Sequence, residues 1–166
     1  MILKHSIPCC GFVFEEKDRP RKLIKEKIEE LKIPIVGLED IKLGHDYTTP
    51  EGTIIPNGDI TTDPLPPRKY AYCSDTIYNK DLLPQLQNAD LIYHESTFME
   101  DMRARADQTM HSTAKDAANI GKEANAKRLL LGHFSARYKN LEPLLGEARS
   151  VFPQSYLAEE GVKNYV

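Results

Sequence analysis

From Pro67 onward the chain alternates short apolar runs with helical patterns, and that alternation restricts it to few folds. Tyr70 to Cys73, Leu91 to Tyr93 and Leu129 to Leu131 read as strands, and Tyr156 to Ala158 as a short last one. Between them, Asn79 to Gln87 reads as a short helix despite Pro84, Thr113 to Ala126 as an alanine-rich helix, and Leu141 to Val151 as an amphipathic helix. Such alternation builds an α/β sheet. Ala114, Ala117, Ala118, Gly121 and Ala124 give the middle helix a small-residue face for close packing, and Thr113 with Asp116 has the spacing of a capping box.

Ahead of Pro67 the signals are weaker. Gly11-Phe12-Val13-Phe14 reads as a partly buried strand. Lys17 to Lys32 reads as an amphipathic helix, with Leu23, Ile24, Ile28 and Leu31 near helical spacing and Pro20 suited to a first turn. It is also the most basic stretch, and the plain account of its lysines is a solvated face laced with i,i+4 pairs. Ile33 to Pro67 is rich in Pro, Gly, Thr and Asp, which predicts turns, a small hairpin around Pro50-Glu51-Gly52 and a surface position for His45.

Composition excludes several classes. With 166 residues, 40% hydrophobic and 28% charged, the chain suits one globular domain. A net charge of -3 argues against nucleic-acid binding driven by overall charge, while leaving room for a local basic patch. No apolar run approaches the roughly 20 residues of a membrane span, and Lys4-His5 interrupts the first apolar residues, so a cytoplasmic protein without membrane contact is expected. Cys9, Cys10 and Cys73 form no CxxC pair and read as small hydrophobes.

Each of three strands stops at a residue able to bind metal or move a proton: Asp75, His94-Glu95 and His133. In open α/β sheets ligands bind outside the carboxyl ends of strands. Imidazole and carboxylate from His5, Asp75 and His133 suit zinc or another borderline divalent ion. His111 precedes a helix start, where developing negative charge is favoured, and so suits a proton donor to a leaving oxygen. Glu95 would then hold His111 in its protonated form through an ion pair.

Taken in order, Ser74-Asp75-Thr76, His94-Glu95-Ser96-Thr97-Phe98, His111-Ser112-Thr113 and Gly132-His133-Phe134-Ser135-Ala136-Arg137-Tyr138 resemble ribonuclease Z, the tRNA 3′-processing endonuclease family of the metallo-β-lactamase superfamily. The resemblance implies an α/β fold, the C-terminal half of an αββα sandwich with a protruding arm. It implies one partial domain over residues 1–166, with a tRNA-binding arm over 16–64. It further implies that Asp75 bridges two zinc ions, that His133 and His5 are metal ligands, and that His94 and Glu95 form a loop supporting catalysis with His111 as donor to the leaving group. Ser135 and Arg137 become candidates for a phosphate contact, which a guanidinium suits. Lys22, Lys25 and Lys27 become candidates for contact with precursor tRNA. The complete enzyme of this family is expected to be a homodimer.

The His-x-His-x-Asp-His motif of that family does not occur in these residues. Three ligands, with Asp75 shared, cannot fill two tetrahedral zinc sites, so weak metal binding is expected. The family's general base is the Asp of that motif, so the isolated chain is expected to be inactive, and an exposed apolar face is expected where the other sheet would pack. Two alternatives stand beside this one. They are a related metal-dependent phosphodiesterase of the same superfamily, and a non-catalytic tRNA-binding or dimerisation fragment.

Overall fold

The computed structural model describes all 166 residues and divides them into two compact units, Met1–Glu16 with Arg68–Val166, and Lys17–Pro67. The first is organised by a five-stranded sheet of β1 (Phe12–Glu15), β2 (Lys69–Cys73), β3 (Leu91–Glu95), β4 (Leu129–Gly132) and β5 (Ser155–Leu157). The spatial order is β5-β4-β3-β2-β1, so each strand lies beside its predecessor in the chain. β2 to β5 run parallel and β1 is the antiparallel edge. Parallel strands need crossovers, which fixes their carboxyl ends at one edge of the sheet.

One sheet face is covered by α2 (Ala114–Glu123) and α3 (Glu142–Val151), while α1 (Arg103–Thr109) lies between β3 and α2 in sequence. Ala71, Ile92, Leu129 and Leu131 meet Ala117, Ile120 and Leu144 in a core where all seven are fully buried. Each large aliphatic side chain there contributes about 1.5–3 kcal/mol by leaving water. The alanines of α2 let the helix sit close to the sheet, and its expected capping box is formed: the Thr113 hydroxyl accepts from Asp116 N, and the Asp116 carboxylate accepts from Thr113 N.

The other sheet face is aromatic and open. Register aligns Phe12, Tyr72, Tyr93 and Leu130 in one row across four strands, and Tyr72 stacks on Tyr93 at 4.7 Å between ring centroids. Phe12 and Phe14 remain 51% and 59% exposed, an unusual state for phenylalanines on a sheet. Burial raises the Tyr93 hydroxyl to about 12, with Tyr72 the next contributor.

The Lys17–Pro67 unit has its own small core of Ile33, Ile41 and Ile60. Asn57, buried, donates through Nδ2 to the carbonyls of Ile41 and His45, both at 2.7 Å, which ties its turns together. The expected hairpin is present, Tyr47–Thr48 paired with Ile54–Ile55 around Gly52, and His45 is exposed. Other expectations need correction. Lys17 to Lys32 is not one helix: Lys22–Leu23 is extended and pairs with Thr61–Thr62, leaving helix only over Lys25–Glu30. Leu38–Lys42 and Asn57–Ile60 form short helices where only turns were expected. The last strand is Ser155–Leu157, one residue earlier than its apolar pattern indicates. No helix is long and apolar enough to cross a membrane.

Candidate metal and acid–base centre

The parallel sheet brings three chain segments to one edge. Asp75 follows β2, Glu95 ends β3 opposite Gly132, and His133 follows β4 directly. Asp75 and His133 both adopt left-handed backbone, with φ of 43° and 56°. Non-glycine residues pay for that conformation, and it concentrates at functional sites. Here it turns both side chains toward each other, His133 Nε2 lying 3.0 Å from Asp75 Oδ1.

Glu95 is fully buried and has an acceptor contact for each neighbouring segment. Its Oε1 accepts from Thr76 N at 2.6 Å and lies 2.8 Å from His111 Nδ1. Its Oε2 accepts from Ser112 N at 3.1 Å and from the Thr97 hydroxyl at 2.6 Å. Backbone N–H groups donating to both oxygens offset the cost of burying this side chain. The same Thr97 oxygen is 2.8 Å from His133 Nδ1. One continuous path of contacts therefore runs His111, Glu95, Thr97, His133, Asp75.

Ligand atoms of Asp75, Glu95, His111 and His133 all lie within 4.8 Å of one another. His5 sits in the turn joining Ile2–Leu3 to Cys9–Cys10, held there by Lys4, whose N–H donates to Thr76 Oγ1 and whose carbonyl accepts from Ile77 N. Its ring centroid is 4.9 Å from that of His111, and its Nε2 is buried without a hydrogen-bond partner. An orphaned imidazole nitrogen beside two imidazoles and two carboxylates is a donor set that fits a borderline divalent cation.

Two other expected residues form a rim. Ser135 N donates to the Thr97 carbonyl, and Arg137 donates through Nε to Ser135 Oγ at 3.2 Å. The Arg137 guanidinium lies over the Phe98 ring at 5.1 Å, and Phe98 meets the His111 ring edge-on at 6.3 Å. His94 is not brought into the centre. As the neighbour of Glu95 on a strand it faces the opposite side, fully buried, with Nδ1 on the Glu95 carbonyl at 2.7 Å and Nε2 without a partner. Burial lowers its pKa, so it is held neutral. Lys22, Lys25 and Lys27 belong to the Lys17–Pro67 unit, where Lys25 lies 3.7 Å from Glu29 and Lys27 is paired with Glu30 at 2.9 Å. Across that unit acidic side chains outnumber basic ones.

Behind the centre is a polar cluster that sequence reasoning missed. Arg103 bridges both oxygens of buried Asp116, at 2.6 and 2.8 Å, and also pairs with Glu100. It braces the start of α2, whose N-cap Thr113 is two residues beyond His111. At Gly132 a Cβ would lie 2.1 Å from Tyr93 Oη, so a larger residue there would displace that ring.

Sequence comparison finds close relatives of the chain. Ribonuclease Z of Bacteroides thetaiotaomicron is 49% identical over 160 residues, 96% of this chain and 51% of that protein. Ribonuclease Z of Porphyromonas gingivalis is 53% identical over 161 residues, 97% of this chain and 53% of that protein. The chain is a homologue of ribonuclease Z. It spans about half the length of these ribonuclease Z relatives. Among solved structures, the metallo-beta-lactamase fold protein YhfI of Bacillus subtilis matches 71% of this chain and 46% of its own, with a TM-score of 0.53 and 25% identity. A long form RNase Z from yeast matches 55% of this chain and 12% of its own, with a TM-score of 0.50 and 29% identity. The architecture is part of the metallo-β-lactamase fold shared with ribonuclease Z. No family model matches the chain.

Proposed function

We propose that this chain forms the leaving-group side of a zinc-dependent endoribonuclease that removes the 3′ trailer from precursor tRNA by phosphodiester hydrolysis. The observation that carries the proposal is the convergence of Asp75, Glu95, His111 and His133 at the strand ends of a ribonuclease Z homologue. Glu95 engages His111 through Nδ1, which leaves Nε2 as the atom to deliver a proton to the departing oxygen. His5, Asp75 and His133 would hold zinc. When bound, the metal would polarise the phosphate and lower the pKa of an attacking water. Arg137, with Ser135 bracing its guanidinium, would take a phosphate oxygen of the substrate. His94 supports the centre from behind as a neutral buried side chain. The 16–64 segment is the arm, offering Lys22, Lys25 and Lys27 to backbone phosphates of the tRNA. The complete enzyme is a cytoplasmic homodimer with two zinc ions, and the isolated chain is inactive.

Cleavage of a precursor tRNA in the presence of zinc tests this reading. The chain alone should leave the precursor intact. Mixed with the part of the Porphyromonas gingivalis relative outside the matched 161 residues, it should restore cleavage at the 3′ side of the tRNA body, and His111→Ala should remove it. Robust processing by the chain alone would refute the inactivity. A mixture that hydrolyses a small aryl phosphodiester but no precursor tRNA would reassign the substrate.

A further inference from the structure

Thr97 is 7% exposed, and its single hydroxyl proton has three neighbours: Glu95 Oε2 at 2.6 Å, His133 Nδ1 at 2.8 Å and the His133 carbonyl at 3.0 Å. The proton's destination is decided by the carboxylate. Each Glu95 oxygen faces two partners, Thr76 N and His111 Nδ1 on Oε1 and Ser112 N and the Thr97 hydroxyl on Oε2, which matches the acceptor sites of a carboxylate, and 2.6 Å is the length of a charge-assisted O–H···O⁻ bond. With its proton committed to Glu95, Thr97 Oγ1 can meet His133 Nδ1 only as an acceptor. His133 then carries a proton on Nδ1, and its Nε2 is directed at Asp75 Oδ1.

We propose that Thr97 is a positioning residue. It holds His133 in the Nδ1–H form, so that Nε2 is presented beside Asp75 as a metal-ligating lone pair, and it ties that ligand to the Glu95–His111 pair through one hydroxyl. The inference rests on reading His133 as a ligand in the proposed function. Partners of this kind fix the tautomer and orientation of a ligating imidazole, and their loss typically weakens metal binding about 10–100-fold.

The test uses the full chain, zinc alone as probe, and two readouts that need no substrate. Zinc affinity is measured by competition with a chromophoric chelator, and the His133 ring nitrogens are observed by long-range proton–nitrogen NMR at saturating zinc, with His133→Gln for assignment. In the wild-type chain Nε2 should show the metal-bound shift and Nδ1 a retained proton; ligation through Nδ1 overturns the proposal whether or not any variant folds. Thr97→Ser keeps the hydroxyl and should bind zinc within about threefold of wild type, as a rescue by chemistry. Thr97→Val keeps the shape and should lose about 10–100-fold in affinity, with the Nδ1 proton signal lost to exchange. A Thr97→Val chain that matches wild type in both readouts overturns the positioning role. Unchanged zinc affinity in His133→Gln overturns instead the ligand assignment on which it rests.

Discussion

Asp75 and His133 leave strands separated by β3, yet both take left-handed backbone and their side chains meet at 3.0 Å. The contact therefore depends on two strained residues being held in place from behind by the loops that Glu95 gathers.

That strain is measurable at His133. His133→Gly and His133→Ala remove the same imidazole, but only alanine keeps a Cβ in a left-handed conformation. In urea denaturation of the zinc-free chain the glycine variant should be the more stable of the two by about 1 kcal/mol. Equal stability would mean that the backbone at this position relaxes once the ring is gone.

His94 sets an acid limit on stability. Its folded pKa is lowered by burial from 6.5, so the unfolded chain binds a proton that the folded chain refuses. The associated stability is complete above about pH 6.5 and declines as pH falls below it toward the folded value. The urea midpoint should drop between pH 7.5 and 5.5, and His94→Gln should flatten that drop.

Arg103 is expected to matter more for stability than an ordinary surface arginine. Arg103→Met leaves the Asp116 carboxylate buried, 3% exposed, with the Thr113 backbone N–H as its donor from the α2 cap. Breaking a buried pair from one side costs about 3–5 kcal/mol, and the retained Thr113 N–H together with the 35% exposure of Arg103 should bring this case to the lower end. Adding Asp116→Asn to Arg103→Met should recover part of the loss in thermal or urea unfolding.

Charge reversal at Lys22, Lys25 and Lys27 tests the proposed arm. If these side chains reach backbone phosphates, the triple glutamate variant should bind precursor tRNA more weakly and show a shallower dependence of log affinity on log salt, by about one unit for each phosphate released from a lysine. Unchanged affinity and slope would leave Lys25 and Lys27 to their intrahelical partners Glu29 and Glu30 and remove Lys22 from the contact.

What could be read in the sequence was local. Strands β2 to β4 appear as apolar runs because aliphatic residues on the helix-covered face alternate with Tyr72, Tyr93 and Leu130 on the open face, and the α2 capping box involves residues three apart. The strand-end chemistry followed from the same runs. Lys22–Leu23 was misread because its partners, Thr61–Thr62, lie far along the chain, and no helical period reports a long-range pairing. α1 was missed for lack of an apolar stripe, with only Ala106 buried. The separation of His94 from Glu95 was legible in principle: had the strand been extended to Glu95, its period of two would have sent the pair to opposite faces. Thr97 lay within a recognised motif, but its role depends on the direction of one proton, which only the geometry around Glu95 reveals.

The Lys17–Pro67 segment departs from β1 and returns to β2 through a narrow neck. Glu16 N donates to the Arg68 carbonyl at 2.9 Å, Arg68 N donates to Glu16 Oε2, and the two side chains form an ion pair. With the neck closed in this way, the entropy of loop closure grows only slowly with the number of residues inserted. The segment is thus a cassette: it can be lengthened, shortened or exchanged at the cost of a fraction of a kcal/mol in closure, without disturbing β1–β2 register.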